Sequence, residues 1–388
     1  MICHWSSCPK GAFLMLDLVA FRRDLHAHPE TGFDLDRTPD LIAAELERAG
    51  LEVTRGVGRT GIVATLRRGP DETAIGFRAD MDALPIHEMT NLPYRSQTEG
   101  KFHGCGHDGH STMLLGAALS LAADTSLDRT VHFIFQPDEE NGNGAAAMIA
   151  DGLFERFPMS AIYGLHNMPG MELGHYATQA GPFCAFEDNF EIRIQGQGGH
   201  ASMPEKGIDP IVTGAAIVMQ LQSIVSRSLP PREHGVVSIT EFLTDGARNI
   251  LPSNVTIRGD CRGFSKNVSD CIERRMRAIV DGVSAAQGAE AEVDYSTSFR
   301  PLVNDARATD AISDAAGKVG TLDAEFGRVG FSEDFAEFLM HRPGAFILMG
   351  NGLDGNNAMP LHNPSYDFND EAIRYGIAFW TSLAQRGF

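Results

Sequence analysis

Four short stretches of the sequence gather side chains that hold metal ions or move protons. FHGCGHDGH (102–110) places Cys105, His107 and Asp108 among glycines, with His103 and His110 beside them. FQPDEENGNG (135–144) carries Asp138, Glu139 and Glu140. LHNMPG (165–170) carries His166, and LHNPSYDF (361–368) carries His362. A thiolate, imidazoles and a carboxylate together suit zinc or a similar first-row ion. Two such ions about 3.5–4 Å apart need a bridging ligand and a bridging water. Adjacent glutamates can divide labour: one binds metal, while the other carries a proton from water to the leaving group.

Each stretch also has a plainer reading. The first is a glycine-rich turn that leads into a helix. Adjacent glutamates at a helix start complement the helix dipole. A single LHN is often a satisfied histidine. Cys105 with His107 also reads as the nucleophile and base of a cysteine hydrolase, although the other His and Glu sites then have no task. A non-catalytic binding protein would lack a ligand or the base, and none is missing. The four stretches weigh most in combination, because each falls beside a predicted sheet end, where an open α/β sheet places its sites.

The elements around them alternate. Helical spacing is predicted for 16–28 and 39–49, then short β-rich runs at 62–66 and 74–77. Residues 111–123 are apolar on nearly every side and predict a buried helix. A strand at 131–135, a helix at 145–150 and a strand at 161–165 follow. This βαβ rhythm predicts an α/β unit with helices on both faces of a central mixed sheet. Near Pro182 the pattern changes. Alternation at Phe190, Ile192 and Ile194, a helix at 209–227, strands at 236–242 and 254–261, a helix at 268–286 and alternation at 291–296 give βαββαβ. That is the ferredoxin-like order. The α/β pattern then resumes with helices at 309–318 and 333–340, a strand at 346–349 and a last helix from Asp370. The reading is therefore a split domain, 15–182 with 299–388, interrupted by an insert at 183–298. Residues 1–14 fit no pattern. They are expected to be a disordered extension, with Met15 as an alternative start.

Composition excludes some partners. A formal charge of −19 over 388 residues argues against nucleic acid or an anionic membrane. The apolar stretch 11–21 is too short to span a bilayer and lacks the flanks of a signal peptide. Six scattered cysteines do not form a disulfide framework, which points to a reducing cytoplasm.

Read in order, RADMDALP (78–85), HGCGHDGHSTMLLGAA (103–118), PDEENGNGA (137–145), LHNMP (165–169), GQGGHAS (196–202), SEDF (332–335) and LHNPSYDFND (361–370) resemble the metal-dependent amidohydrolases of the aminoacylase/carboxypeptidase superfamily. Hippurate hydrolases and indole-acetyl-amino-acid hydrolases form the nearest branch. The resemblance runs from about Arg22 to the C-terminus. It implies two divalent metal ions per subunit, zinc or manganese, with cobalt or nickel also admitted. Cys105 would bridge them, and His107, Glu140, His166 and His362 would complete the set. Glu139 would be general base and then acid, and Asp80, Asp82 and Asp108 would orient ligands. The insert would act as lid and dimerisation domain of a homodimer or higher homo-oligomer. His200 would reach the active site of the other subunit and stabilise the oxyanion, with Asn249 as a second contact. Arg262 and Arg248 would meet the substrate, Arg262 at its carboxylate. The implied reaction is hydrolysis of the amide of an N-acyl amino acid of N-acetyl or N-benzoyl type. A dipeptidase or carboxypeptidase using the same centre is the alternative. The chain departs from the pattern at Arg248, at Asp260 in GDCRGF and at Glu205 in MPEKGIDP.

Overall fold

The computed structural model describes residues 16–68 and 74–386. The extension expected at 1–14 lies outside the described residues. Four segments, Ile75–Asp80, Val131–Gln136, Ala161–Pro169 and Gly344–Gly352, are apolar almost throughout and nearly fully buried. Strands of that composition need cover on both faces. They form the middle of an eight-stranded mixed sheet. From edge to edge the order is Glu52–Val57, Gly61–Leu66, Val131–Gln136, Ile75–Asp80, Ala161–Pro169, Gly344–Gly352, His175–Ala177, Thr321–Asp323. The four central strands run parallel, and Gly61–Leu66 and His175–Ala177 flank them antiparallel.

Side-chain alternation divides the interior into two cores. Phe77, Phe133, Tyr163 and Ile347 face the helices Leu18–Ala27, Arg37–Arg48, His107–Ala123, Ala306–Val319 and Ala372–Ala384. Ile134, Ile162, Phe346 and Leu348 face Gly144–Ala150, Leu153–Arg156 and Phe335–Leu339. Parallel strands end at one edge of the sheet, so Asp80, Gln136 and His166 arrive there together.

A second sheet carries its own core. Phe186–Gln195, Pro210–Ser223, Gly235–Thr244, Asn254–Gly263, Lys266–Gln287 and Glu290–Phe299 follow in βαββαβ order. The four strands pair antiparallel, with the fourth and third flanking the first and the second outside the third. This is the ferredoxin-like arrangement. Phe190, Ile192, Ile217, Ile257, Ile272 and Met276 fill the space between sheet and helices. Just outside it, Gly181–Cys184 pairs with Leu302–Asn304. Phe183, Cys184 and Leu302 belong to the core of the larger unit, so the chain passes between units near 185 and 300.

Two helices differ from expectation. The buried helix starts at His107 rather than Ser111, because Gly106 turns the chain at φ 94° and the polar residues 107–110 continue into the helix. The helix expected at 333–340 is only Phe335–Leu339, because Glu333 and Asp334 turn inward to meet Arg78. The short strands Glu52–Val57, His175–Ala177 and Thr321–Asp323 carry little apolar signal and were not expected.

The buried helix packs without clearance against the C-terminal segment. A Cβ on Gly109 would lie 2.3 Å from the ring of Phe368, which is fully buried. Helix propensity alone favours alanine over glycine by about 1 kcal/mol. Overpacking against a rigid ring costs about 1–3 kcal/mol. Gly109→Ala is therefore expected to lower the thermal unfolding midpoint; an unchanged or raised midpoint would mean that the ring moves freely.

Candidate metal centre

The glycines of FHGCGHDGH have distinct tasks. Gly106 adopts the left-handed region, and a Cβ there would lie 2.4 Å from Asn167 Nδ2 and 2.6 Å from the Tyr366 hydroxyl. Only glycine permits both the turn and the close approach. The turn aims Cys105 and His107 into the same space. The carbonyl of Gly104 accepts the backbone N–H of His362 at 2.9 Å, which ties in the most C-terminal candidate ligand.

Among the groups able to hold a cation, two triads overlap at one residue, and a third, His107, Glu139 and Glu140, borders them. Potential ligand atoms of Cys105, His107 and His166 lie within 4.8 Å of one another, as do those of Cys105, Glu140 and His362. Cys105 is the shared member. Its Sγ is 3.4 Å from His166 Nε2, and His362 Nε2 is 3.4 Å from Glu140 Oε2. The residues fit cations. His107 Nε2 and Glu140 Oε1 are buried without any hydrogen-bond partner, a costly condition unless a cation satisfies them. The donor set of thiol, imidazoles and carboxylate is that of a first-row ion.

Neighbouring groups fix the ligands. His107 Nδ1 donates to the Asp82 carbonyl at 2.8 Å, which leaves its Nε2 free to ligate. The Asp82 carboxylate accepts the backbone N–H groups of Glu139 at 3.0 Å and Glu140 at 3.2 Å. One residue thus orients an imidazole and both glutamates. His166 Nδ1 donates to the Asn167 carbonyl at 2.8 Å. Asp80 holds His110 Nδ1 at 2.7 Å and accepts Arg78 at 2.7 Å. His110 Nε2 accepts the Asn167 N–H, Asn167 donates to the Cys105 carbonyl, and Tyr366 donates to Asn167.

Burial and neighbouring charges set the protonation of these side chains. Burial lowers the affinity of His107 for a proton, but Asp80 and the other carboxylates outweigh it and hold the ring at about 10. Burial raises Glu140 to about 7 although His107 opposes it. Burial, then the charges of Glu140 and Glu139, push the Cys105 thiol well up. Burial, reinforced by Glu333, pushes Glu139 well above the usual carboxylate range. Glu139 Oε2 stands 3.9 Å from His107 Nε2, at the border of the triads.

Several expected residues lie elsewhere. Asp108 does not orient a candidate ligand. Next to His107 on the helix, it points about 100° away from it, and accepts His26 Nδ1 at 2.9 Å and Arg22 at 3.2 Å. His200 and Asn249 are exposed on the smaller unit, where Ala201 N–H donates to the Asn249 carbonyl at 3.1 Å. Among the described residues, no hydrogen bond or ion pair joins them to the triads. Arg248 is exposed beside Asn249. Arg262 is paired with Glu187 at 2.7 Å and Asp260 at 3.0 Å, and donates to Ser332 at 2.7 Å.

The sequence reading left His110, Arg78, Glu333 and Asp334 without roles. Arg78 is fully buried and meets Asp80, Glu333 at 2.9 Å, Asp334 at 3.0 Å and Gln136 at 2.7 Å. Asp334 also accepts Gln136 and the Ala145 N–H, just beyond the Glu139–Glu140 loop. The available signal was an arginine inside an otherwise apolar strand, IGFRAD, which demands buried counter-charges.

A two-unit α/β fold with this donor set defines a metal-dependent hydrolase. The model of peptidase family M20/M25/M40 matches residues 76–386, and the chain belongs to that family. It is 38% identical over 379 residues to a hippurate hydrolase of Campylobacter jejuni, covering 97% of this chain and 98% of that one. It is 37% identical to an N-acetylcysteine deacetylase of Bacillus subtilis, with 95% and 96% covered. Among solved structures it is similar to a dinuclear metal-binding peptidase of the M20 family from Bacillus subtilis, with a TM-score of 0.83, 33% identity and coverage of 95% and 96%.

Two predictions test the centre. A metal must displace the protons on His107, Glu140 and the Cys105 thiol, so affinity rises with pH and protons are released on binding. Between pH 6 and 8 the apparent affinity for zinc, followed by calorimetry in buffers of different ionisation enthalpy, should rise by about tenfold per pH unit for each proton displaced. A flat profile without proton release would place the metal elsewhere. Asp82→Ala removes the hold on Glu139 and Glu140, and metal affinity should fall about 10–100-fold with the circular dichroism spectrum unchanged.

Proposed function

We propose that this protein hydrolyses the amide bond of N-acyl amino acids, N-acetyl or N-benzoyl in type, to a carboxylate and a free amino acid. The observation that carries the reading is the position of Glu139. It is buried and belongs to neither triad built on Cys105, while its carboxylate lies within 4.8 Å of the ligand atoms of His107 and Glu140, so it borders the ions without being needed to hold them.

Cys105, His107, Glu140, His166 and His362 would hold two divalent ions, zinc or manganese, Cys105 being the member common to both triads. Such ions, when bound, polarise a carbonyl and lower the pKa of water. Glu139 takes one proton from the attacking water. The water oxygen bonds to the acyl carbon, and the carbonyl oxygen gains negative charge. Glu139 then delivers the proton to the amide nitrogen as the C–N bond breaks, so the amino acid leaves as an amine. The burial and neighbouring charge that raise its carboxyl suit it to hold that proton between the two steps.

His200 fits the oxyanion role when supplied by a second subunit. Its Nδ1 accepts the Ser202 N–H at 3.1 Å, so the neutral ring carries its proton on Nε2 and can donate. The smaller unit would serve as lid and dimer surface, with Asn249 and Arg248 on the same exposed tip. Arg262 would meet substrate only by exchanging Glu187 or Asp260 for the substrate carboxylate. The cysteines within the described residues are free thiols, which supports a cytoplasmic setting. No helix among the described residues is long and apolar enough to cross a membrane.

Glu139→Ala tests the mechanism. Turnover of an N-acetyl or N-benzoyl amino acid should fall about 10²–10⁴-fold, with metal content by mass spectrometry unchanged. Wild-type turnover in that variant would remove Glu139 from the reaction. A substrate panel separates the second reading: faster cleavage of unblocked dipeptides would make the protein a dipeptidase.

A further inference from the structure

A cavity of about 1050 Å³ opens beside Glu140 and His362. Among the described residues, three non-glycine residues have positive φ: Arg59 at 78°, Asp138 at 51° and His362 at 65°. All three line this cavity. The left-handed region is sterically disfavoured for L residues and persists where a side chain must be aimed. Two of the three have evident tasks. Asp138 turns the chain into Glu139, and His362 presents its ring to Glu140. Arg59 belongs to no ligand set; its positive φ, like that of Gly58 at 63°, serves the tight hairpin between Glu52–Val57 and Gly61–Leu66, and it sets an arginine in the cavity wall.

The turn around it is GVGRTG (56–61), in which glycine is otherwise abundant. A glycine at 59 would relax the backbone, yet the chain carries an arginine. The turn is held in place. The Gly58 N–H donates to Asp151 at 3.2 Å, and a Cβ on Gly58 would meet Met148 at 2.6 Å. Thr60 donates to the Phe33 carbonyl at 3.4 Å. The Arg59 guanidinium lies 4.1 Å from the centre of the Phe33 ring, a cation–π contact that keeps it flat against the wall. Arg59 is the only arginine or lysine lining the cavity, and among the described residues no carboxylate lies within 4.0 Å of it. Asp138, an acidic wall residue that feels the charge of Arg59, is held by a hydrogen bond from Asn141 at 2.5 Å. Arg22, Arg78 and Arg262 are all paired with carboxylates.

We propose that Arg59 is a specificity-determining residue that grips a carboxylate of the substrate, with Phe33 as the platform under its guanidinium. The inference rests on hydrolysis of N-acyl amino acids. A planar fork of donors matches a carboxylate bidentately. That carboxylate can be the α-carboxylate of the amino acid or one carried by the acyl group.

Two matched substrate pairs separate the sources: an N-acetyl amino acid with its carboxamide, and an N-succinyl with an N-butyryl amino acid. Wild type, Arg59→Ala and Arg59→Lys are compared after metal loading, with metal content and thermal midpoint measured for each. In Arg59→Ala, kcat/KM should fall about 10–100-fold on the charged member of one pair, mainly through KM, as expected for loss of a charged hydrogen-bonded contact. The partner that lacks the carboxylate in question should change by less than about threefold, and Arg59→Lys should recover part of the loss. The pair whose two members respond differently identifies the carboxylate. Equal losses on both members of both pairs, or no loss, overturn the inference. Wild type that cleaves no N-acyl amino acid overturns the functional reading itself, a result seen before any variant is made.

Discussion

The guanidinium of Arg78 sits where no solvent reaches, and all of its nitrogens are engaged by Asp80, Glu333, Asp334 or Gln136. Burying charge is costly, and such a group persists only when its partners are placed with accuracy. Those partners come from distant parts of the chain. Asp80 and Gln136 end adjacent strands, and Glu333 and Asp334 return after the insert. From Asp80 the contacts continue through His110 and Asn167 to the Cys105 carbonyl and Tyr366. From Asp334 they reach the Ala145 N–H beyond the two glutamates. Losing Arg78 would leave these buried acidic groups without their cation, at about 3–5 kcal/mol. The network therefore fixes the ends of several strands as one body, and the candidate ligands ride on it.

The same economy of placement appears at the ligands themselves. Asp82 uses its backbone carbonyl for His107 and its carboxylate for two amides. Catalytic precision about a metal depends on such neighbours nearly as much as on the ligands. They also explain why the site needs the last part of the chain, since His362 enters through a backbone bond to Gly104.

Much of this was legible in the sequence, for physical reasons. Candidate ligands are expected at the ends of apolar parallel strands, so Glu140 and His166 could be singled out from hydrophobic runs and residue type. The βαββαβ order of the insert followed from alternation and helix spacing. Local signals failed where a residue's partner is remote. Asp108 is next to His107, yet its side chain belongs to Arg22 and His26, more than eighty positions upstream. Glu333 and Asp334 read as the start of a helix because their true partner, Arg78, is over two hundred and fifty residues away. Short outer strands such as Thr321–Asp323 are set by the sheet they join, and their own composition says little.

The slot filled by Gly344–Gly352 has a consequence for synthesis. This strand lies between Ala161–Pro169 and His175–Ala177, well inside the sheet. A ribosome completes the smaller unit long before it makes that strand. During the interval the larger unit presents open apolar strand edges, which are templates for pairing with other chains. The insert, continuous in sequence, can fold meanwhile. The nascent protein thus has a window in which its smaller unit is finished and its larger unit is not, and a chain released early would be aggregation-prone.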